Sequence, residues 1–174
     1  ASLAATRSAG LPGLALAAKG DYGAGQLAID ATAKGAGLSA NANGKLQLSG
    51  AKSLAIKVTG AAPLALGQSF VASQGIGLSG NASFDISVSG ALTAPKIGGR
   101  ITLASAGIAL PRQNLNLTGM SGTIELNGQT ANISGLTAKV SSGGTIAVNG
   151  TVGIAAGSGF PADLAVKLAN AVYT

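Results

Sequence analysis

The residues that could do covalent or acid–base chemistry in this chain are few and scattered. The carboxylates are Asp21, Asp30, Asp85, Glu125 and Asp163, and no two are close enough in sequence to read as a general acid–base pair. Histidine and cysteine are absent, which removes the usual general base, the commonest metal ligand and every thiolate. Glycine-rich stretches such as "GAGLSANANG" 35–44 do not lead into helices, so they read as turns and not as phosphate cradles. No nucleophile–base pair, metal cluster or cofactor site can be assembled, and a non-catalytic function is expected. The chemistry that the spacing does support is hydrocarbon burial. In "RITLASAGIAL", 100–110, Leu103 follows Ile101 by two residues and Leu110 follows Ile108 by two, with Thr102 and Ala109 between them. An extended chain of that pattern has one apolar face and one wet face.

The composition says which elements carry those faces. Of 174 residues, 47 % are hydrophobic, yet only 3 % are aromatic and 9 % charged. Charge is thus far below the roughly 25 % of an ordinary soluble domain. The 28 glycines and five prolines punctuate the whole length, which argues against long helices. An all-β chain built of small residues and aliphatics is expected. The formal charge of +6 comes from Lys and Arg spread from Arg7 to Lys167 without a basic run. Tyr22, Phe70, Phe84, Phe160 and Tyr173 are dispersed as well, so nothing resembles the stacking and phosphate contacts of a nucleic-acid binder. Cations that keep strand faces solvated are the simpler reading, and a weak attraction to anionic head groups is compatible with it. The start "ASLAATRSAG" shows no charged region followed by an apolar core. The long uncharged runs 58–84 and 140–162 hold too many polar residues and glycines to read as membrane helices. Either the chain is soluble or its targeting segment lies outside it.

Short period-2 runs recur roughly every 8–12 residues with Gly, Asn-Gly or Pro between them, the signature of an antiparallel sandwich, barrel or stacked sheet. They include "LAL" 14–16, "LAI" 27–29, "LAIKV" 54–58, "LAL" 64–66, "FDISV" 84–88, "TIEL" 123–126 and "DLAVKL" 163–168. Lys57, Asp85, Arg100, Glu125, Lys139, Asp163 and Lys167 all fall on the parity opposite to their aliphatic neighbours. A slip of one residue would put a charge on the apolar face, so register is strongly specified. Asn43-Gly44, Asn127-Gly128 and Asn149-Gly150 are candidate hairpin turns. Only at Asn127-Gly128 does a two-residue turn fit, with Ile124, Leu126, Ala131 and Ile133 on one face. Longer loops or bulges are expected at the other two. So few aromatics leave a sandwich core poorly filled. Leu, Ile and Val either pack a thin dry core or line a bent sheet left open for a flexible apolar guest.

The order and spacing of motifs in the second half carry a family likeness. "FDISVSGALTAPKIGGRITLASAGIALP" 84–111 is followed by "LNLTGMSGTIEL" 115–126, "ISGLTAKVSSGGTIAVNGTV" 133–152 and "FPADLAVKLANAVYT" 160–174. This series resembles the TamB family, part of the AsmA-like group of bacterial envelope proteins; residues 1–83 share the style without a diagnostic motif. Pro95, lacking an amide donor, belongs at a strand end or edge, and Gly98-Gly99 permits a sharp turn. On that reading the chain reverses after Leu92 and lays Ile101 and Leu103 beside Ile86 and Val88, while Pro111 ends the next strand.

The resemblance implies a single all-β segment, 1–174, of a longer chain anchored in the inner membrane of a Gram-negative bacterium, with its body in the periplasm. Its sheet would be elongated and curled into a half-open trough, a β-taco, with an aliphatic-lined groove. The partners implied are phospholipid acyl chains, a TamA-like outer-membrane barrel and unfolded outer-membrane proteins. The expected lining is Ile86, Val88, Leu92, Ile101, Leu103, Ile108, Leu110, Leu115, Leu117, Ile124, Leu126, Ile133, Val140, Ile146, Val148, Leu164, Val166 and Leu168. Two functions fit such a groove: carriage of lipid tails between membranes, or a platform on which nascent barrel strands add to a sheet edge. A closed β-solenoid stalk would need a constant rung length, which the uneven runs lack. A transmembrane barrel would need aromatic girdles, which are missing.

Overall fold

The structure, a computed structural model, describes residues 2–8, 14–154 and 161–170, with side chains described from residue 14 onward except that of Phe70. Phe160 and residues 171–174, both part of the last family-like motif, lie outside the described residues. Eleven strands are described: β1 Ser2–Ser8, β2 Ala15–Gly23, β3 Gln26–Gly35, β4 Leu38–Gln47, β5 Ser53–Pro63, β6 Gly77–Ala91, β7 Ala94–Leu110, β8 Leu115–Gly128, β9 Thr130–Val140, β10 Thr145–Gly153 and β11 Ala162–Ala169. They form one sheet in chain order that is not closed on itself. Among the described residues helix is confined to turns of four residues or fewer, including α1, Gln68–Val71. The all-β expectation is therefore met by a single open sheet. Its strands are fewer and longer than the short runs suggested, because several runs join end to end. Two compact units divide the chain: Ala1–Ala62 with Phe84–Gly99, and Pro63–Ser83 with Arg100–Thr174.

In the first unit the hairpins turn on Ala24-Gly25 (φ +50° and +75°) and Ala36-Gly37 (φ +50° and +79°). Two left-handed central residues make the type I′ turn, whose twist matches that of the flanking strands. The candidate turn at Asn43-Gly44 is absent. Both residues lie in mid-β4, Asn43 opposite Asp30 and Lys57, Gly44 opposite Ile29 and Ile56. Gly44 serves close packing instead, since a Cβ there would fall 2.6 Å from the Ile56 Cα. Pro95 is the second residue of β7, a strand end as expected. Gly98 and Gly99, expected to turn, run straight through β7. The Ser87 hydroxyl donates to the Gly98 carbonyl at 3.3 Å, and a Cβ on Gly99 would fall 2.8 Å from the Ile86 Cα. Glycine lies against Ile86, the place expected for Ile101 or Leu103, because the chain already reverses at Leu92-Thr93.

In the second unit, "LAL" 64–66 is no strand but part of a 3-10 helix, Leu64–Gly67, that leads into α1. Pro63 ends β5, and Gln68 fixes the insert: its Nε2 donates to the Ile76 carbonyl at 2.6 Å and its Oε1 accepts from the Leu78 amide at 2.7 Å. Pro111 ends β7 as expected, opening a 3-10 turn that closes on left-handed Asn114. The turn at Asn127 has two central residues, shifted one place along: Asn127 pairs with Thr130, leaving Gly128 (φ +67°) and Gln129 in the centre. Leu126 consequently faces Ala131 and Ile124 faces Ile133, the four residues expected together. Asn149-Gly150 sits inside β10 at a register shift, a bulge in place of a hairpin.

A second feature of this unit is a line of bulges. Ser105, Gly119 and Gly135 take φ +51°, +60° and +60°, each two residues after an aliphatic, in the neighbouring strands β7, β8 and β9. The ladder between β8 and β9 shifts between Thr118 and Thr123, and that between β9 and β10 shifts opposite Gly135. One extra residue reverses the parity of everything beyond it. The apolar positions pass from Leu103 to Ala106, from Leu117 to Met120, and from Ile133 to Leu136. Ala106, Met120 and Ala138 form a buried cluster, with Leu64, Leu103, Ile108, Leu117 and Leu136 packed on it.

Candidate functional site

One face of each unit carries the aliphatic side chains. In the first unit, cross-strand rows read Leu16, Ala33, Ala40, Gly60; then Ala18, Ala31, Ala42, Val58; then Gly20, Ile29, Gly44, Ile56; then Tyr22, Leu27, Leu46, Leu54. Two rows of alanine and glycine thus lie beside rows of larger side chains. They leave a concavity of about 380 Å³ over Leu16, Ala18, Ala31, Ala33, Ala40, Ala42 and Val58. In the second unit the rows read Ala131, Val152, Ala162; Ile133, Gly150, Leu164; Leu136, Val148, Val166; and Ala138, Ile146, Leu168.

None of the expected lining residues is buried. Ile86, Val88, Ile101, Leu103, Ile108, Leu110, Leu115, Leu117, Ile124, Leu126, Ile133, Val140, Ile146 and Val148 are half-buried, and Leu92, Leu164, Val166 and Leu168 are exposed, the last at 62 %. The buried apolar side chains among the described residues are Ala82, Ala106, Met120, Ala131 and Ala138. Leu103, Ile108 and Leu117 are covered in part by the chain itself, by Leu64 and the alanine–methionine cluster. Leu110, Pro111 and Leu115 border a smaller recess of about 330 Å³ with Asn114, Asn116 and Ser141.

The opposite face holds the charges at the expected parity. Lys57 Nζ lies 3.1 Å from Asp85 Oδ2, and Arg100 Nη2 lies 2.8 Å from Glu125 Oε1, all four side chains more than half exposed. Lys19 stands opposite Asp30, and Lys139 is exposed between half-buried or buried neighbours. The parity rule does not discriminate at Asp163 and Lys167, because every residue of β11 is exposed. Among the described residues no group of three His, Cys, Asp or Glu is placed to hold a metal ion, and no helix is long and apolar enough to cross a membrane.

The sequence reading missed the concavity of the first unit. Runs of Leu, Ile and Val do not mark it: Ala31, Ala33, Ala40 and Ala42 carry the signal, alternating with Thr32, Lys34, Asn41 and Asn43 as regularly as any aliphatic run. No protein-family model, curated protein or solved structure matches the chain.

Proposed function

We propose that this chain is a stretch of a TamB-like periplasmic bridge, anchored elsewhere in the inner membrane, that shields phospholipid acyl chains on their way to the outer membrane. Its sheet curls into a half-open trough, and the half-buried aliphatics of 86–168 line the groove. The observation that carries this reading is the standing of those side chains: across β8 to β11 the aliphatics fall in common cross-strand rows, yet none of the expected lining residues is buried. An apolar face of that extent marks an interaction site. Each methylene removed from water gains about 0.8 kcal/mol, so acyl chains need continuous cover in an aqueous space. A lining poor in aromatics and fixed polar groups covers a passenger without pinning it. A second reading is a platform where strands of unfolded outer-membrane proteins add by β-augmentation beside a TamA-type barrel.

Photo-crosslinking in living cells tests both, with a photoreactive residue at Leu103, Leu117 or Leu126 and controls at Thr102, Asn116 and Glu125. Phospholipid adducts at the first set alone are expected. Protein adducts in their place favour the platform, and no adducts at either set overturn both readings for this segment.

A further inference from the structure

Three turns at one rim of the first unit are tied together. The Leu48 amide, in the connection from β4 to β5, donates to the Gly25 carbonyl of the β2–β3 turn at 2.8 Å. The Leu92 amide, in the β6–β7 turn, donates to the Lys52 carbonyl of the same β4–β5 connection at 3.2 Å. Gln47 adds side-chain bonds, its Oε1 accepting from Gln26 Nε2 and its Nε2 donating to the Ser49 hydroxyl. All of these residues belong to the one compact unit. The tied rim presents large apolar side chains to solvent: Tyr22 is 52 % exposed, Leu48 41 % and Leu92 37 %. Among the other described residues of the unit only Leu16 is exposed to this degree, and the Ala36-Gly37 turn at the opposite rim carries no such side chain.

We propose that this rim docks onto the surface of an anionic lipid bilayer, with Tyr22, Leu48 and Leu92 entering the interface. The occupant follows from charge. Lys45, Lys52 and Lys96 flank Leu48 and Leu92, all three are exposed, and none has an ion pair among the described residues. Asp21 is the one carboxylate along the same turns. Cations set around exposed apolar side chains match acidic head groups lying over hydrocarbon. Tyrosine suits that depth, because its ring is buried while its hydroxyl stays among the head groups. Lysine stems cover hydrocarbon in the same way and keep their ammonium groups in water. The outermost apolar row, Tyr22, Leu27, Leu46 and Leu54, then lies beside the bilayer. Docking goes beyond the carrier reading and does not depend on it, since the rim makes this contact whatever the apolar face holds.

The test is co-flotation of the 174-residue chain with vesicles of phosphatidylcholine, alone or with one third phosphatidylglycerol. Binding to the anionic vesicles only is expected, and it weakens as salt rises. Each lysine near such a surface contributes about fivefold, so K45Q/K52Q/K96Q should bind on the order of a hundredfold more weakly. K34Q/K139Q/K167Q removes the same charge away from the rim and should lose far less. L48S/L92S should bind several-fold more weakly with the same salt dependence. The chain has no cysteine, so an environment-sensitive dye on Ser49→Cys reports insertion, with Ser39→Cys near the opposite rim as control. The emission should move to the blue at the first site and not at the second. Failure to bind anionic vesicles overturns the proposal, as do equal losses from the two lysine triples, an L48S/L92S variant that binds like the parent, or equal shifts at the two dye sites.

Discussion

Leu103 and Ala106 share the apolar face of β7 although they lie three positions apart along the strand, where regular alternation needs two or four. Ser105 between them takes φ +51° and absorbs the extra place. A left-handed serine is strained where glycine is not. Ser105→Gly should therefore stabilise the chain slightly, by about 0.5 kcal/mol after the added freedom of the unfolded chain is discounted. Deleting Ser105 removes the extra place and leaves Ala106, Ile108 and Leu110 on the apolar face, so it should cost no more than about 1 kcal/mol. Urea denaturation of the two variants checks both; a deletion that costs several kcal/mol would refute the bulge.

Glycines in these strands serve two physical purposes, and alanine scanning separates them. Gly135 has φ +60°, and a Cβ added there would meet nothing within 4 Å, so Gly135→Ala should cost about 1 kcal/mol of backbone strain and no more. Gly44 has ordinary strand geometry but lies under Ala55 and Ile56. A methyl there must push β5 aside, and Gly44→Ala should cost about 2–3 kcal/mol. Thermal melts of the pair decide it, and equal losses would remove the distinction.

These same positions show what a reader of the sequence can and cannot see. Alternation is local, so the wet positions of Lys57, Glu125 and Lys139 are legible at once. A bulge is not local. Ile101 and Leu103 are odd-numbered whereas Ile108 and Leu110 are even-numbered because of the parity change at Ser105, and the same change at Gly119 and Gly135 breaks the alternation of β8 and β9. Repetition of the device in three neighbouring strands is visible only once they are paired. Turn chemistry misled in the other direction: Asn43-Gly44, a candidate turn, lies mid-strand, while Ala24-Gly25 and Ala36-Gly37 make turns. Packing of Ile56 over Gly44 outweighs the local preference. The alanine concavity was hidden because alanine counts as apolar only when its neighbours leave it room.

Parity itself is testable at one adjacent pair. Glu125 is exposed and bound to Arg100, and Ile124 is half-buried opposite Ile133. An exposed pair contributes about 0–1 kcal/mol, so Glu125→Lys should shift stability by no more than about 1 kcal/mol, less at high salt. Ile124→Lys places a cation among aliphatics and should cost at least about 2 kcal/mol at any salt concentration. Comparable losses from the two substitutions would mean that both faces of β8 are equally wet.

The concavity of the first unit offers the most direct test of guest binding, because it can be filled without disturbing the sheet. Ala42 lies between Ala31 and Val58 on the apolar face, with open space above it. Phenylalanine is well suited to a strand, and its ring at this position occupies the recess while leaving the ladder intact. Asn43→Phe, on the opposite face, adds the same ring where no guest is expected. Titration with a nitroxide-labelled fatty acid, followed by the broadening of its spectrum, should show uptake by the parent chain and by Asn43→Phe. Ala42→Phe should bind several-fold more weakly while melting no lower than the parent. Undiminished uptake by Ala42→Phe would place the guest elsewhere on the sheet. Equal losses in both variants would show that the probe responds to added bulk and not to the recess.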